Sequence, residues 1–413
     1  MIKDNPFSSA TFVDYWGKHF LSGRKKHTFP FAKNLSFYKS RVPGLYINTG
    51  KNLTKGTNLE LGEASREEKG NCFLIYDVID FDSHQTKLNN YGLGHYAVRQ
   101  YPGYLIDLEP YTSLDDFLSK TFKKSSRYKL RKYKKRLEEC FDISFKAYKG
   151  EISREEYDTI FVNFRKLLEK RFEEKQISNN NLNTDEWDFY KDVAYPMILE
   201  NKASLLVLYK NEEPISITLS YLSDNRVFDA ITVFDTDYAK FHLGSIKIMY
   251  LVDWCLKNGW KTLDFSKGHF DYKLRWSNKR FDFHYHIWFD KKSWKAQVTA
   301  YTLKLYFTFK QYLREKKINE KLHKLTFAIR NKESNNLQYS FEETLQNYTE
   351  EDLIPLDMAL PESTWFNKIC YEFLYLFPEN EKNIKVYQLR DRGSLYLIKG
   401  TDNESLVRVN FDK

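Results

Sequence analysis

The chain has 413 residues, 65 basic and 56 acidic, with a formal charge of +9; 42% are hydrophobic and 29% charged. That length excludes a miniprotein and leaves room for two or three domains, each able to bury a core. Four scattered cysteines, Cys72, Cys140, Cys255 and Cys370, show neither metal nor redox spacing, so free thiols in a reducing cytoplasm are expected.

From the amino terminus, a short helix is predicted at 12–20 and strands at 45–48 and 72–78, with the polar stretch 50–70 between them as loop or exposed hairpin. Residues 104–108 read as extended, and another helix begins at 114–118. The charge is local. Lys120, Lys123, Lys124, Arg127, Lys129, Arg131, Lys132, Lys134, Lys135 and Arg136 carry ten positive charges with no acid among them, leaving the rest of the chain near neutral. They lie on a helix with Leu130, Tyr133 and Leu137 on its apolar side.

A strand at 143–148 follows, then helices at 154–174 and 186–200 separated by an Asn-rich loop at 178–183. Strands at 204–209 and 214–221 flank the turn Lys210-Asn211-Glu212-Glu213, and Arg226 to Phe234 pairs next. Gly244-Ser245 opens a helix whose Ile246, Met249, Tyr250, Val252 and Leu256 recur at helical spacing until Asn258-Gly259. Residues 260–265 form another strand, Lys267-Gly268 a turn, and 281–289 a last strand. A long amphipathic helix rich in Tyr and Phe is predicted at 293–314. Residues 335–413 read as a small appended domain with a hairpin at 395–398 and 406–411.

Several residues in that order carry a resemblance: Asp235-x-Asp237-Tyr238 before Gly244, the helix end Asn258-Gly259, Leu263-Asp264-Phe265, then Gly268 and Tyr272-Lys273-x-x-Trp276. Together they resemble the GNAT superfamily of N-acyltransferases, and more narrowly its CelD-like and FemAB-like branch. The run Ser125-Ser126-Arg127-Tyr128-Lys129-Leu130-Arg131-Lys132, closing in Arg136-Leu137-Glu138, is similar to the basic helix before the transferase core in that branch. The resemblance covers roughly residues 105–290. It implies an α+β chain with the GNAT (acyl-CoA N-acyltransferase) fold, two GNAT-like units side by side and a C-terminal extension. The implied divisions are 1–140, a degenerate unit; 141–292, the acyltransferase core; 293–334, a helical extension; and 335–413, the appendage.

The superfamily pattern wraps the pyrophosphate of coenzyme A with a glutamine or arginine and then two glycines. Here Lys240-Phe241-His242-Leu243-Gly244-Ser245 keeps the last glycine alone. Acyl-coenzyme A is the expected donor, bound by Val233 and Phe234 of the strand and by Gly244 and Ser245 at the helix start, where free N–H groups favour phosphate. Aminoacyl-tRNA, used by some relatives in this branch, is the alternative. Transfer to an amine needs a base and donors that polarise the acyl carbonyl. Asp264, His269 and Tyr272 are the candidates for that chemistry, and Arg127, Arg131, Lys267 and Lys273 for holding an anionic donor or acceptor.

Each has a plainer reading. Asp264 can be a buried carboxylate tied to backbone, His269 a surface histidine, and Lys273 the partner of Asp271 or Asp264. Gly244 and Ser245 can be ordinary caps, and the basic helix a solvated face. His284 and His286 alternate on one strand with no further ligand near in sequence, so no metal is expected. No common DNA-reading motif is present. The first residues lack a signal-peptide layout and no apolar run approaches a membrane span, so the protein is expected to stay inside the cell. The expected reaction is acyl transfer to an amino group on a sugar-nucleotide or other envelope precursor, and a non-catalytic scaffold is the rival reading from a different class.

Overall fold

The computed structural model describes residues 2–63, 65–80, 93–175, 182–316, 338–342, 348–358, 360–390 and 392–410. Among them, eleven strands build one sheet: β1 (Lys26–Thr28), β2 (Ser36–Lys39), β3 (Leu45–Asn48), β4 (Cys72–Asp80), β5 (Leu93–Asp107), β6 (Ile143–Tyr148), β7 (Ala203–Lys210), β8 (Glu213–Leu222), β9 (Arg226–Phe234), β10 (Thr262–Lys267) and β11 (Lys279–Asp290). Their spatial order is β1-β2-β3-β4-β11-β5-β10-β9-β8-β7-β6. Two neighbouring pairs are parallel, β3 with β4 and β9 with β10, one in each half of the sheet. At the centre the halves exchange strands. β5 lies between β10 and β11, and β11 between β4 and β5, so the backbone of each half completes the other.

The middle strands are apolar on both faces because both faces are covered, which is why β8 is buried at every position after Glu213. Alternate residues serve opposite layers. Leu205, Val207, Tyr221 and Phe228 face α1 (Ala10–Phe20), α4 (Arg154–Lys175) and α5 (Thr184–Leu199), a core continued by α8 (Trp294–Glu315) through Ala296, Ala300 and Phe307. Leu206, Leu222, Val227 and Leu263 face α2 (Leu114–Thr121) and α6 (Leu243–Lys257), where Ile248, Met249, Val252 and Cys255 are buried. At roughly 1.5–3 kcal/mol for each large apolar side chain, this face of α6 holds the helix far more firmly than its propensity does.

The basic helix α3 (Lys124–Cys140) buries Leu130, Leu137 and Cys140, while Tyr133 of the predicted apolar side is half-buried. The order strand, two helices, three antiparallel strands, helix, strand is present as β6, α4, α5, β7 to β9, α6 and β10. Three features differ from expectation. The extended 104–108 is the end of a fifteen-residue strand, hidden because Pro102-Gly103 interrupts it. Pro102 is tolerated at the sheet centre because β11 shifts register between Asp282 and His284 opposite it, and a Cβ at Gly103 would meet the rings of Phe281 and Phe283. Residues after the Gly268 turn form α7 (Asp271–Trp276), and α6 begins one residue before Gly244.

A second sheet, entirely antiparallel, comprises β12 (Gln338–Glu342), β13 (Leu353–Leu356), β14 (Lys385–Leu389), β15 (Leu395–Lys399) and β16 (Glu404–Asn410), ordered β12-β16-β15-β14-β13. Helix α9 (Asn367–Leu376) joins it to the large sheet, its Tyr371 and Phe373 sharing a core with Phe141, Tyr238 and Phe241. Lys240 pairs with Glu372 at 2.5 Å, and Arg136 donates to the Tyr375 carbonyl. The appendage therefore packs beside the start of α6.

Candidate functional site

The parallel strands β9 and β10 pair at Arg226–Thr262, Val227–Leu263 and Phe228–Asp264, and there the pairing ends. β9 runs on to Phe234 bonded to β8 alone, while β10 turns aside with Ser266 in the left-handed region, φ 57°, and a register shift against β5 before Lys267. Asp264 makes that turn. Its Oδ1 accepts the Ser266 N–H at 2.6 Å, a local bond that competes with the strand ladder, and its Oδ2 accepts from Arg226 Nη1 at 3.1 Å. The carboxyl is fully buried, and burial pushes its pKa up to about 6 although Arg226, the Ser266 N–H and Lys273 all favour the ionised form.

The opening is lined by cations. Lys273, on α7, is buried and donates to the carbonyls of Lys267 at 2.8 Å and Ser266 at 3.4 Å instead of to a carboxylate. Burial lowers its ammonium to about 8; Asp229 and Asp264 oppose that shift, whereas Lys55 and Lys267 add to it. Gly268, at φ 119°, supplies the backbone turn that brings Lys273 underneath. Lys267 reaches across to the other half of the sheet, where it pairs with the fully buried Asp77, itself held by Thr54 Oγ1 at 2.9 Å. The Lys55 carbonyl accepts from Ser266 Oγ at 3.3 Å, and burial, with Lys267 nearby, lowers the Lys55 ammonium to about 8.

On the far side of the wedge, Lys247 in the first turns of α6 is buried and donates to Asp229 at 3.3 Å and to Thr232 at 2.6 Å, both on the half of β9 beyond its pairing with β10. Burial lowers its pKa and Asp229 opposes. Tyr272 is half-buried with its ring edge-on to Phe265, and burial raises its hydroxyl. His269 is exposed, its Nδ1 3.3 Å from the Tyr104 hydroxyl.

At the start of α6, His242 takes the left-handed conformation, φ 56°, and its carbonyl accepts the N–H groups of Ser245 and Ile246 at 2.8 and 3.2 Å. No side chain caps the helix. The ring of Phe234 lies against Gly244 so closely that a Cβ there would meet it at 2.8 Å. Arg171 of α4 sits 4.3 Å from the centroid of the same ring, with its Nε buried and without a hydrogen-bond partner among the described residues. Val233 is fully buried, and its carbonyl accepts from Ser216 at 2.9 Å.

Asp264, Lys267, Tyr272 and Lys273 thus converge on one side of the wedge, with Phe234, Gly244 and Ser245 on the other. Arg127 and Arg131 are engaged on α2: Arg127 donates to the carbonyls of Ser119 and Phe122 at 3.0 and 3.1 Å, and Arg131 makes two bonds to Asp115, at 2.8 and 3.1 Å. Arg171, Asp229, Lys247, Lys55 and Asp77 were not singled out from sequence. The available signal was a charge at an apolar position, Lys247 on the buried face of its helix and Asp229 inside a β-branched strand. His284 and His286 sit with His95 across β5 and β11, His95 Nε2 and His286 Nδ1 being 3.2 Å apart. Among the described residues no group of three or more His, Cys, Asp or Glu is arranged to hold a metal, and no helix is long and apolar enough to cross a membrane.

Residues 124–274 match the family model described as an acetyltransferase (GNAT) domain. No curated protein matches the chain. Among solved structures, it is similar to L-PGS from Bacillus licheniformis, at 13% identity over 74% of this chain and 98% of that one, TM-score 0.43. FemX is similar at 12% identity over 67% and 91%, TM-score 0.46. A conserved protein of unknown function from Bacteroides thetaiotaomicron VPI-5482 is similar at 10% identity over 70% and 92%, TM-score 0.46. The wedge between β9 and β10 lies within the residues that match the GNAT domain model.

Proposed function

We propose that the protein is an N-acyltransferase that moves an acyl group from acyl-coenzyme A to an amino group on a sugar-nucleotide or other envelope or polysaccharide precursor. The observation that carries this reading is the parting of β9 and β10 at a buried carboxyl, inside the region that matches the GNAT domain. Unpaired backbone N–H groups along the open edge of β9 supply donors for an acyl carbonyl, and a polypeptide edge of this kind costs no reorganisation during reaction. The amine attacks the carbonyl carbon, the C–N bond forms, the C–S bond breaks, and the amine's proton goes to a base. Asp264, with its pKa near 6, exchanges a proton at neutral pH, and His269 at the exposed end of the turn is the second candidate base. Tyr272 lies close enough to the same turn to donate to the leaving group. Lys267, Lys273, Arg127 and Arg131 are the proposed holders of anionic groups on the substrates, the two arginines by exchanging their present partners for phosphate.

Isothermal titration with acetyl-coenzyme A and a longer acyl-coenzyme A tests the donor. Heat from binding, lost on substituting Gly244 with a bulky residue, supports the assignment; silence from every acyl-coenzyme A at millimolar protein removes it.

A second reading, aminoacyl-tRNA as donor, is favoured by one feature: the Phe234 ring and Arg171 crowd the helix start at which a pyrophosphate would bind. On that reading α3, which carries eight of the ten basic residues between Lys120 and Arg136, meets the tRNA backbone. Filter binding distinguishes the two, since tRNA affinity carried by α3 falls steeply as salt rises, and no retention at low salt excludes it.

A further inference from the structure

Helix α8 turns an apolar stripe away from the protein. Its inward positions, Ala296, Ala300, Leu303 and Phe307, pack on the sheet, with the Phe307 ring stacked on Tyr285 at 3.9 Å. On the opposite side Trp294, Val298, Tyr301, Leu305, Phe309 and Tyr312 recur at steps of four and three, and each is between 52% and 69% exposed. With Tyr306, seven of the sixteen large exposed apolar residues among those described lie on this one helix, so they form a continuous patch and not the scatter normal to a surface.

The chemistry of the stripe points to its occupant. Trp and Tyr, amphipathic rings suited to a boundary between water and hydrocarbon, supply half of the six positions. Lys291, Lys292, Lys295 and Lys316 are exposed beside them, Lys304 and Lys310 are half-buried toward the sheet, and from residue 291 to 316 there is a single acid, Glu315. A helix with aromatic residues on one side and lysines along its margins is complementary to an anionic lipid surface. A second protein surface would have to bury these ammonium groups or supply acids to match them.

We propose that α8 docks the protein, flat and reversibly, on an anionic phospholipid surface, its aromatic stripe entering the headgroup layer and its basic margin facing lipid phosphates. The last turn of α8 adjoins the wedge: Arg314 lies 4.7 Å over the Tyr101 ring, and that ring lies 5.7 Å edge-on from His269. A docked α8 thus holds the His269 end of the candidate site close to the membrane. The docking does not depend on the acyl-transfer reading, because it is measured without turnover.

The test is flotation of the full chain with vesicles of phosphatidylglycerol and phosphatidylcholine, against vesicles of phosphatidylcholine alone. The mixed vesicles are expected to retain the protein at least about tenfold more strongly, with the advantage shrinking as salt is added. Combining Trp294→Ser, Phe309→Ser and Tyr312→Ser should weaken retention about tenfold or more, and an unchanged thermal midpoint shows that the variant is folded. A second set, Lys291→Gln with Lys292→Gln, Lys295→Gln and Lys316→Gln, should remove the preference for phosphatidylglycerol without touching the stripe. Failure of the full chain to float with either vesicle overturns the proposal. So does sedimentation velocity showing a dimer that the serine variant dissociates, since the stripe would then bind a second copy.

Discussion

The Lys247–Asp229 pair offers the sharpest test of how the wedge is held. Both side chains are almost wholly buried, and their 3.3 Å contact ties the start of α6 to the stretch of β9 that has lost its partner β10. At an effective dielectric constant near 20 the attraction is about 5 kcal/mol, while withdrawing two charges from water costs several kcal/mol for each ion. The net contribution of the intact pair is therefore small, but breaking it is costly. Lys247→Met leaves a buried carboxylate and a Thr232 hydroxyl without their ammonium donor, and Asp229→Leu leaves a buried ammonium with only that hydroxyl at 2.6 Å. Each single change should lower stability by about 3–5 kcal/mol, and the double change should return to within about 1.5 kcal/mol of the parent. Urea unfolding of the four proteins at neutral pH, followed by fluorescence and compared at unchanged m, reads the coupling directly. Two single variants that each cost less than about 1 kcal/mol, with additive effects, would refute the account of a mutually compensated buried pair.

Three further outcomes follow from the same geometry. The Asp264 pKa of about 6, raised from 3.8, means that the folded state holds this proton more tightly than the unfolded chain. Its contribution is full below pH 3.8 and is lost as pH rises through 6, by about 3 kcal/mol. Subtracting the stability of Asp264→Asn from that of the parent across this window isolates it, and a difference that grows with pH contradicts the assignment. At Gly244, alanine gains up to about 1 kcal/mol of helix propensity but must displace the Phe234 ring at a cost of about 1–3 kcal/mol. Gly244→Ala should therefore lower the thermal midpoint in the parent and raise it in a Phe234→Leu background. Arg127→Ala removes two bonds to the carbonyls that end α2 and should cost about 1 kcal/mol by urea unfolding; a loss of tRNA retention beyond what Lys132→Ala produces would assign it an anion-holding role as well.

Local pattern was enough to determine most elements. The bounds of β9 coincide with the predicted 226–234, and α3, α4 and the hairpin of β7 with β8 follow from spacing and turn residues, because periodicity of 2 or 3.6 is a property of adjacent residues. Asp264, Gly268, Tyr272 and Lys273 became candidates through the family resemblance, whose motif here lies around a single turn. What sequence spacing does not carry is which distant charge meets which. Lys267 meets Asp77 from 190 positions away, Lys247 meets Asp229 across a helix and a strand, and Arg171 reaches Phe234 from another layer. The central place of β5, with proline and glycine in its middle, likewise depends on a bulge in β11 opposite it. Buried charges are stable only beside particular partners, and the folded sheet alone brings those partners together. The chain thus determined its helices, its strands and the turn from Asp264 to Lys273 by itself, while the tertiary structure decided which partners its buried lysines and arginines meet.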